Sequence, residues 1–168
     1  MTENRIRGDM TPPDAGPDEK STLLAFLDYL REAVISKALG LPEEQARIPG
    51  VPSGTSLLGL VKHLTAAELY WFAWAFEGAD IPHPEFGMEL TDDESAESLV
   101  AAYRDAVARS NEIVGRCDDL TRPCARPAGR NKVVRSMRWV LVHMIEETAR
   151  HAGHADILRE QADGSVGR

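Results

Sequence analysis

SMRWVLVHMIEETARHAGHADILRE, residues 136–160, reads as one long helix, and its pattern sets the architecture of the chain. At ~100° per residue, with His143 as origin, His143, Glu147, His151 and His154 fall near 0°, 40°, 80° and 20°. Four potential metal ligands therefore share one stripe. Val140 and Leu158 lie near ~60° and Met144 near ~100° on the same wheel, so the stripe borders the apolar face and can look inward. Glu146, Arg150 and Glu160 are read as the solvated opposite side. His143 and His154 stand about 16 Å apart along the axis, too far to share an ion. Neighbouring pairs can share one: His143/Glu147 and Glu147/His151 at i,i+4, or His151/His154 at i,i+3. Each pair still needs a ligand from elsewhere in the fold.

Working back from this segment, the chain offers three more helices. The first starts after Ser21 as its cap, carries Leu23, Leu27, Leu30 and Val34 at helical spacing, and ends near Gly40. The second runs from about Thr55 to Glu77, with Leu57, Leu60, Leu64, Trp71 and Trp74 on its apolar side. ADIPHPEFGMEL, residues 79–90, is too rich in proline and glycine for a helix and reads as a loop. The third helix follows from Thr91, which forms a capping-box pattern with Glu94, and extends to about Gly115. A polar loop leads to the last helix at about 135–161, with Lys132 to Val134 as a short extended piece. Four long helices without a convincing strand predict an all-α four-helix bundle. Residues 21–161 form that bundle, 1–20 a disordered tail rich in proline and charge, and 162–168 a flexible C-terminus.

The 168 residues suffice for one core. With 19 Lys+Arg against 27 Asp+Glu, the net charge of −8 argues against nucleic acid or an anionic membrane as the principal partner. No run approaches the ~18 apolar residues of a membrane span, and the N-terminal stretch lacks the apolar centre of a signal peptide. The expectation is a cytoplasmic protein. Cys117 and Cys124 match neither a redox pair nor a zinc ribbon in spacing and read as reduced loop thiols.

Bundles build metal sites by aiming side chains from facing helices at one point. His63 qualifies as the missing ligand, because Leu60, Leu64, Ala67, Trp71 and Trp74 surround it on the apolar side of the second helix. A lone histidine on such a face is ordinarily a hydrogen-bonded core residue; the facing ligand stripe is what raises His63 above that. Three ligands drawn from His63, Glu147 and His151 make an N/N/O set with an open position, the catalytic type of zinc site, which nickel or iron(II) also accepts.

One histidine in LLGLVKHL (57–64), followed by a pair four apart with glycine and a polar residue behind it in EETARHAGHADILRE (146–160), resembles the DinB-like superfamily. That superfamily includes metal-dependent mycothiol and bacillithiol transferases and the mycothiol-dependent maleylpyruvate isomerase. Over about residues 20–161 the chain is most similar to its mini-circle branch, with RWVLVHMIEETARHAGHADILRE as the signature. The resemblance implies a metal triad of His63, Glu147 and His151. Many members carry histidine where this chain has Glu147, and the isomerase carries glutamate, so the preferred metal is open. His143 and His154, about one turn from the triad on either side, are expected to orient ligands or contact substrate.

The implied activity is transfer of a low-molecular-weight thiol, mycothiol first, to a small electrophile. A cation that coordinates a thiol deprotonates it at neutral pH. Arg130, Arg135 and Arg138, at the start of the last helix, can hold a substrate anion. Trp71 and Trp74 can line the pocket, Glu68 can act as a base at its edge, and His83 reads as surface. Two rivals stand beside this reading: metal-assisted hydrolysis with Glu68 or His143 as base, and a non-enzymatic stress or metal-binding protein. Exposed apolar helix faces allow a homodimer.

Overall fold

The computed structural model describes residues 11–167. Its elements are α1 (Glu19–Ala38), α2 (Glu43–Arg47), α3 (Leu57–Glu68), which continues as a π-helical segment (Leu69–Glu77), α4 (Ala96–Gly115) and α5 (Met137–Asp163). Two isolated antiparallel bridges, Pro123 with Ser136 and Ala128 with Val133, are the only extended pairings among the described residues. The four long helices bear out the all-α bundle. None of the described helices is long and apolar enough to cross a membrane.

Hydrogen bonds from side chains set where the helices begin. Asp18, not Ser21, caps α1 by accepting from the Ser21 backbone N–H at 2.9 Å, so the helix starts three residues earlier than the sequence suggested. Ser56 caps α3 and Ser136 caps α5, each by accepting from the backbone N–H three residues on. In α4 the capping box belongs to Ser95 and Ser98 rather than Thr91 and Glu94. Glu94 does accept from the Thr91 N–H, yet its carboxylate also pairs with Lys62, and the Thr91–Glu94 turn stops short of the helix. The short α2 escaped the sequence reading. Five residues carry no usable period, and Arg47 ties the helix to the Thr91 and Glu94 carbonyls.

Helix α1 packs chiefly against α5, and α3 against α4. Leu58, Leu60, Leu64, Val61 and Tyr103 fill one end of the interior; Leu27, Phe72, Met137, Leu141 and Met144 fill the other. Between them a buried ion pair crosses from α1 to α3: Glu68 is fully buried and accepts from Arg31 Nε at 2.8 Å and Nη2 at 2.6 Å. Arg31 also donates to Asp28 and Asn111.

The helix α5 runs to Asp163 and ends at Gly164, whose φ of +75° suits glycine. Ser165 then folds back on Asp163, and Lys37 reaches the Gly167 carbonyl. Of the tail expected at 1–20, residues 1–10 lie outside the described residues, as does Arg168 of the C-terminal segment, while Glu19 and Lys20 already belong to α1. Cys117 and Cys124 are both free and buried, and burial raises the Cys124 thiol above its ordinary value.

Candidate metal centre and its cleft

His63 on α3 faces Glu147 and His151 on α5. One donor atom from each of the three lies within 4.8 Å of the others. The Glu147 Oε1 atom stands 3.0 Å from His63 Nε2 and 3.1 Å from His151 Nε2, and the two imidazole centroids are 4.8 Å apart. Four-coordinate zinc with bonds of ~2.0–2.2 Å sets its ligand atoms ~3.3–3.6 Å apart. The donor set therefore fits a divalent ion with small side-chain adjustments.

The surroundings orient the donors. His63 Nδ1 donates to the Phe86 carbonyl at 3.1 Å, which directs Nε2 toward the centre, and His151 Nδ1 meets His154 Nδ1 at 3.4 Å. Both imidazoles hydrogen-bond the carboxylate. Contact with His151 and then His63 holds Glu147 well below the usual carboxylate range. The same Glu147 contact raises His63 above its ordinary value of 6.5, against the opposing effect of burial.

Beside Glu147 opens a cleft of ≈ 620 Å³, bordered by the π-helical segment, residues 83–86, the 128–131 turn and the first half of α5. Its walls are aromatic. Tyr70 and Trp71 meet edge to face at 5.1 Å, Phe86 contacts Tyr70, and Trp139 packs 5.2 Å from Trp71. The Tyr70 hydroxyl accepts from the Gly129 N–H at 2.9 Å and so anchors the turn, where Gly129 has φ +73°. His143 sits between Trp71 at 4.8 Å and Trp139 at 4.9 Å, and its partial burial lowers its pKa. The Arg135 guanidinium lies 4.5 Å over the Trp139 ring.

The family model for mycothiol-S-transferase matches residues 22–164, nearly the whole of this bundle. The chain belongs to the mycothiol S-transferase family. No curated protein matches it.

Within this family member, the structure brings together most of the residues singled out from sequence and separates others. His63, Glu147 and His151 converge, and Trp71, Arg130, Arg135 and His143 line the adjoining cleft. Glu68 does not: it is locked into the Arg31 pair in the core, so it is no base at a pocket edge. Arg138 turns away to pair with Glu19 at 2.7 Å and leaves the cleft wall to Arg135. His154 touches His151 from outside the cleft and borders a separate pocket with Val51, Ile157 and Leu158. Trp74 stacks on Tyr70, carries the Arg126 guanidinium over its own ring at 5.1 Å, and is not part of the cleft lining.

Two polar residues move the other way. His83 is exposed, as read, and it also lines the cleft and meets Tyr70 edge to face at 5.3 Å. Arg150, read as opposite to the stripe, reaches the cleft and approaches Glu147 at 3.6 Å. It stands seven residues after His143, about two turns, which returns it to the same side of the helix. Tyr70, Phe86, Gly129 and Trp139 were not singled out at all; only Trp139, four residues before His143, carried a signal in its spacing.

Proposed function

We propose that the protein transfers the thiol of mycothiol to a small electrophile, using a divalent cation held by His63, Glu147 and His151. The observation that carries this reading is the convergence of two imidazoles and a carboxylate from two helices within 4.8 Å, in a chain of the mycothiol S-transferase family. When bound, such a cation supplies Lewis acidity that makes a coordinated thiol a thiolate at neutral pH. Zinc suits the N/N/O donors best, and nickel and iron(II) are also accepted.

The protein's own groups do the rest. The Phe86 carbonyl and His154 fix the orientation of the His63 and His151 rings. Trp71, Tyr70 and Phe86 wall off part of the cleft from water, and their faces pack against the carbon skeletons of the two substrates. His143, kept neutral by burial between two indoles, accepts the proton that the thiol gives up. Restricting both reactants to one cleft adds the gain of proximity.

The test is to incubate the metal-loaded protein with mycothiol and an alkyl halide or epoxide and follow thioether formation. Conjugation should depend on metal, stop on chelation, and be absent in His63→Ala. Metal-dependent cleavage of an ester or amide without thiol would assign hydrolysis instead; reaction of neither kind would leave a metal-binding module.

A further inference from the structure

The solvent face of α5 carries a seam of four exposed side chains, Trp139, Glu146, Arg150 and Ile157. At ~100° per residue they fall within ~40° of one another around the helix. Ile157 is 57% exposed, the most of any large apolar side chain on this helix. The intervals of seven, four and seven residues are symmetric about the level of Thr148, and reversing the direction of the helix exchanges the acid with the base. An antiparallel copy of α5 therefore meets the seam in register. Trp139 comes opposite the partner's Ile157 and Glu146 opposite the partner's Arg150, and a two-fold axis makes each contact twice. Ala149 and Gly153 flank the seam, and nothing lies within 4 Å of where a Gly153 Cβ would stand, so two helices can approach closely there.

Charge favours the same pairing. A net charge of −8 sets two copies against each other at long range, and this face offsets it with one carboxylate and one guanidinium per copy. Arg150 already pairs with Glu146 along its own helix. Both side chains are about half exposed, and such a surface pair contributes little by itself, so each group remains open to a second helix.

We propose that two copies of this chain associate through this seam, their α5 helices antiparallel about a two-fold axis at the level of Thr148. The partner's Ile157 then packs on the exposed side of Trp139, whose ring borders the cleft with Trp71 and His143. The second copy thus adds to the outer wall of the cleft beside the candidate metal centre. One helix pair is a small contact, at or below the ~1,200 Å² that begins the standard class, so the dimer is reversible.

Sedimentation equilibrium of the full chain across ~1–100 µM should show the mass rising from one chain toward two. Ile157→Glu sets an acid against Trp139 at a position exposed in the single chain. It should weaken the dimer about tenfold or more while the circular dichroism spectrum stays unchanged. Glu146→Lys and Arg150→Glu, each alone, place like charges across the axis and should weaken it similarly. Mixed in equal amounts, these two variants should associate again as a heterodimer, which native mass spectrometry separates from either homodimer. Pairing within one chain cannot produce that recovery. A mass of one chain at every concentration overturns the proposal, and so does a dimer that Ile157→Glu leaves intact. Failure of the mixed charge variants to associate, while the unaltered chain dimerises, places the dimer on another face and overturns it too.

Discussion

Replacing Glu68 by glutamine removes a charge from the centre of the bundle while leaving its volume in place. The carboxylate is fully buried and receives two N–H bonds, at 2.8 and 2.6 Å, from an Arg31 that is itself 2% exposed. Breaking one side of a buried pair typically costs ~3–5 kcal/mol, because the remaining charge stays desolvated. Arg31 keeps the half-exposed Asp28 at 2.7 Å and Asn111 at 2.8 Å, which places the loss near the lower end, about 3 kcal/mol. For a chain of this size that corresponds to a Tm lower by ~6–12 °C, or a urea midpoint lower by ~1–2 M. Differential scanning calorimetry and urea unfolding read both. The double substitution Arg31→Met with Glu68→Leu should recover most of the loss, since removing both charges leaves none uncompensated. Metal content and activity per folded molecule should be unchanged in Glu68→Gln. A variant of native stability that has lost activity would refute this account and return Glu68 to a chemical role.

Other outcomes follow from the same geometry. His63→Ala and His151→Ala should abolish retention of metal through gel filtration, while His143→Ala and His154→Ala retain it with affinity or activity lowered ~10–100-fold; elemental analysis decides. Metal uptake should release protons. At 6.5, the ordinary value, a histidine is only ~24% protonated at pH 7, so the raised pKa of His63 predicts a larger release there that vanishes toward alkaline pH. Calorimetry in buffers of different ionisation enthalpy measures it, and a release at or below that fraction would contradict the His63–Glu147 contact. In the metal-free protein the raised His63 value stabilises below 6.5 and the contribution is lost as pH rises through the folded value; the depressed Glu147 value stabilises above 4.5 and is lost as pH falls through its own. Urea unfolding of chelated protein should therefore show this contact's contribution strongest between those limits.

The ligand stripe was legible because helical spacing projects His143, Glu147 and His151 without tertiary information, and because His63 faced inward from an apolar surface. Helix ends were legible only roughly: several polar residues competed for each cap, and Asp18 and Ser95 won over Ser21 and Thr91. The cleft was harder. Residues 83–86 have no period, so nothing local placed His83 or Phe86 against Tyr70. The π-helical turns at Leu69–Glu77 change the angular step, so the α-helical wheel that grouped Trp71 with Trp74 fails there, and Trp74 pairs with Tyr70 instead. Glu68 was misplaced because its partner, Arg31, lies 37 residues away, and long-range pairing leaves no trace in local spacing.

The most direct test of the account is to locate the ion. Crystals of the zinc-loaded protein, with anomalous scattering recorded at the zinc edge, should show one peak with His63 and His151 ring nitrogens and a Glu147 oxygen at ~2.0–2.2 Å. A peak held by His151 and His154 with His63 turned away, or no ordered ion at the triad, would contradict it.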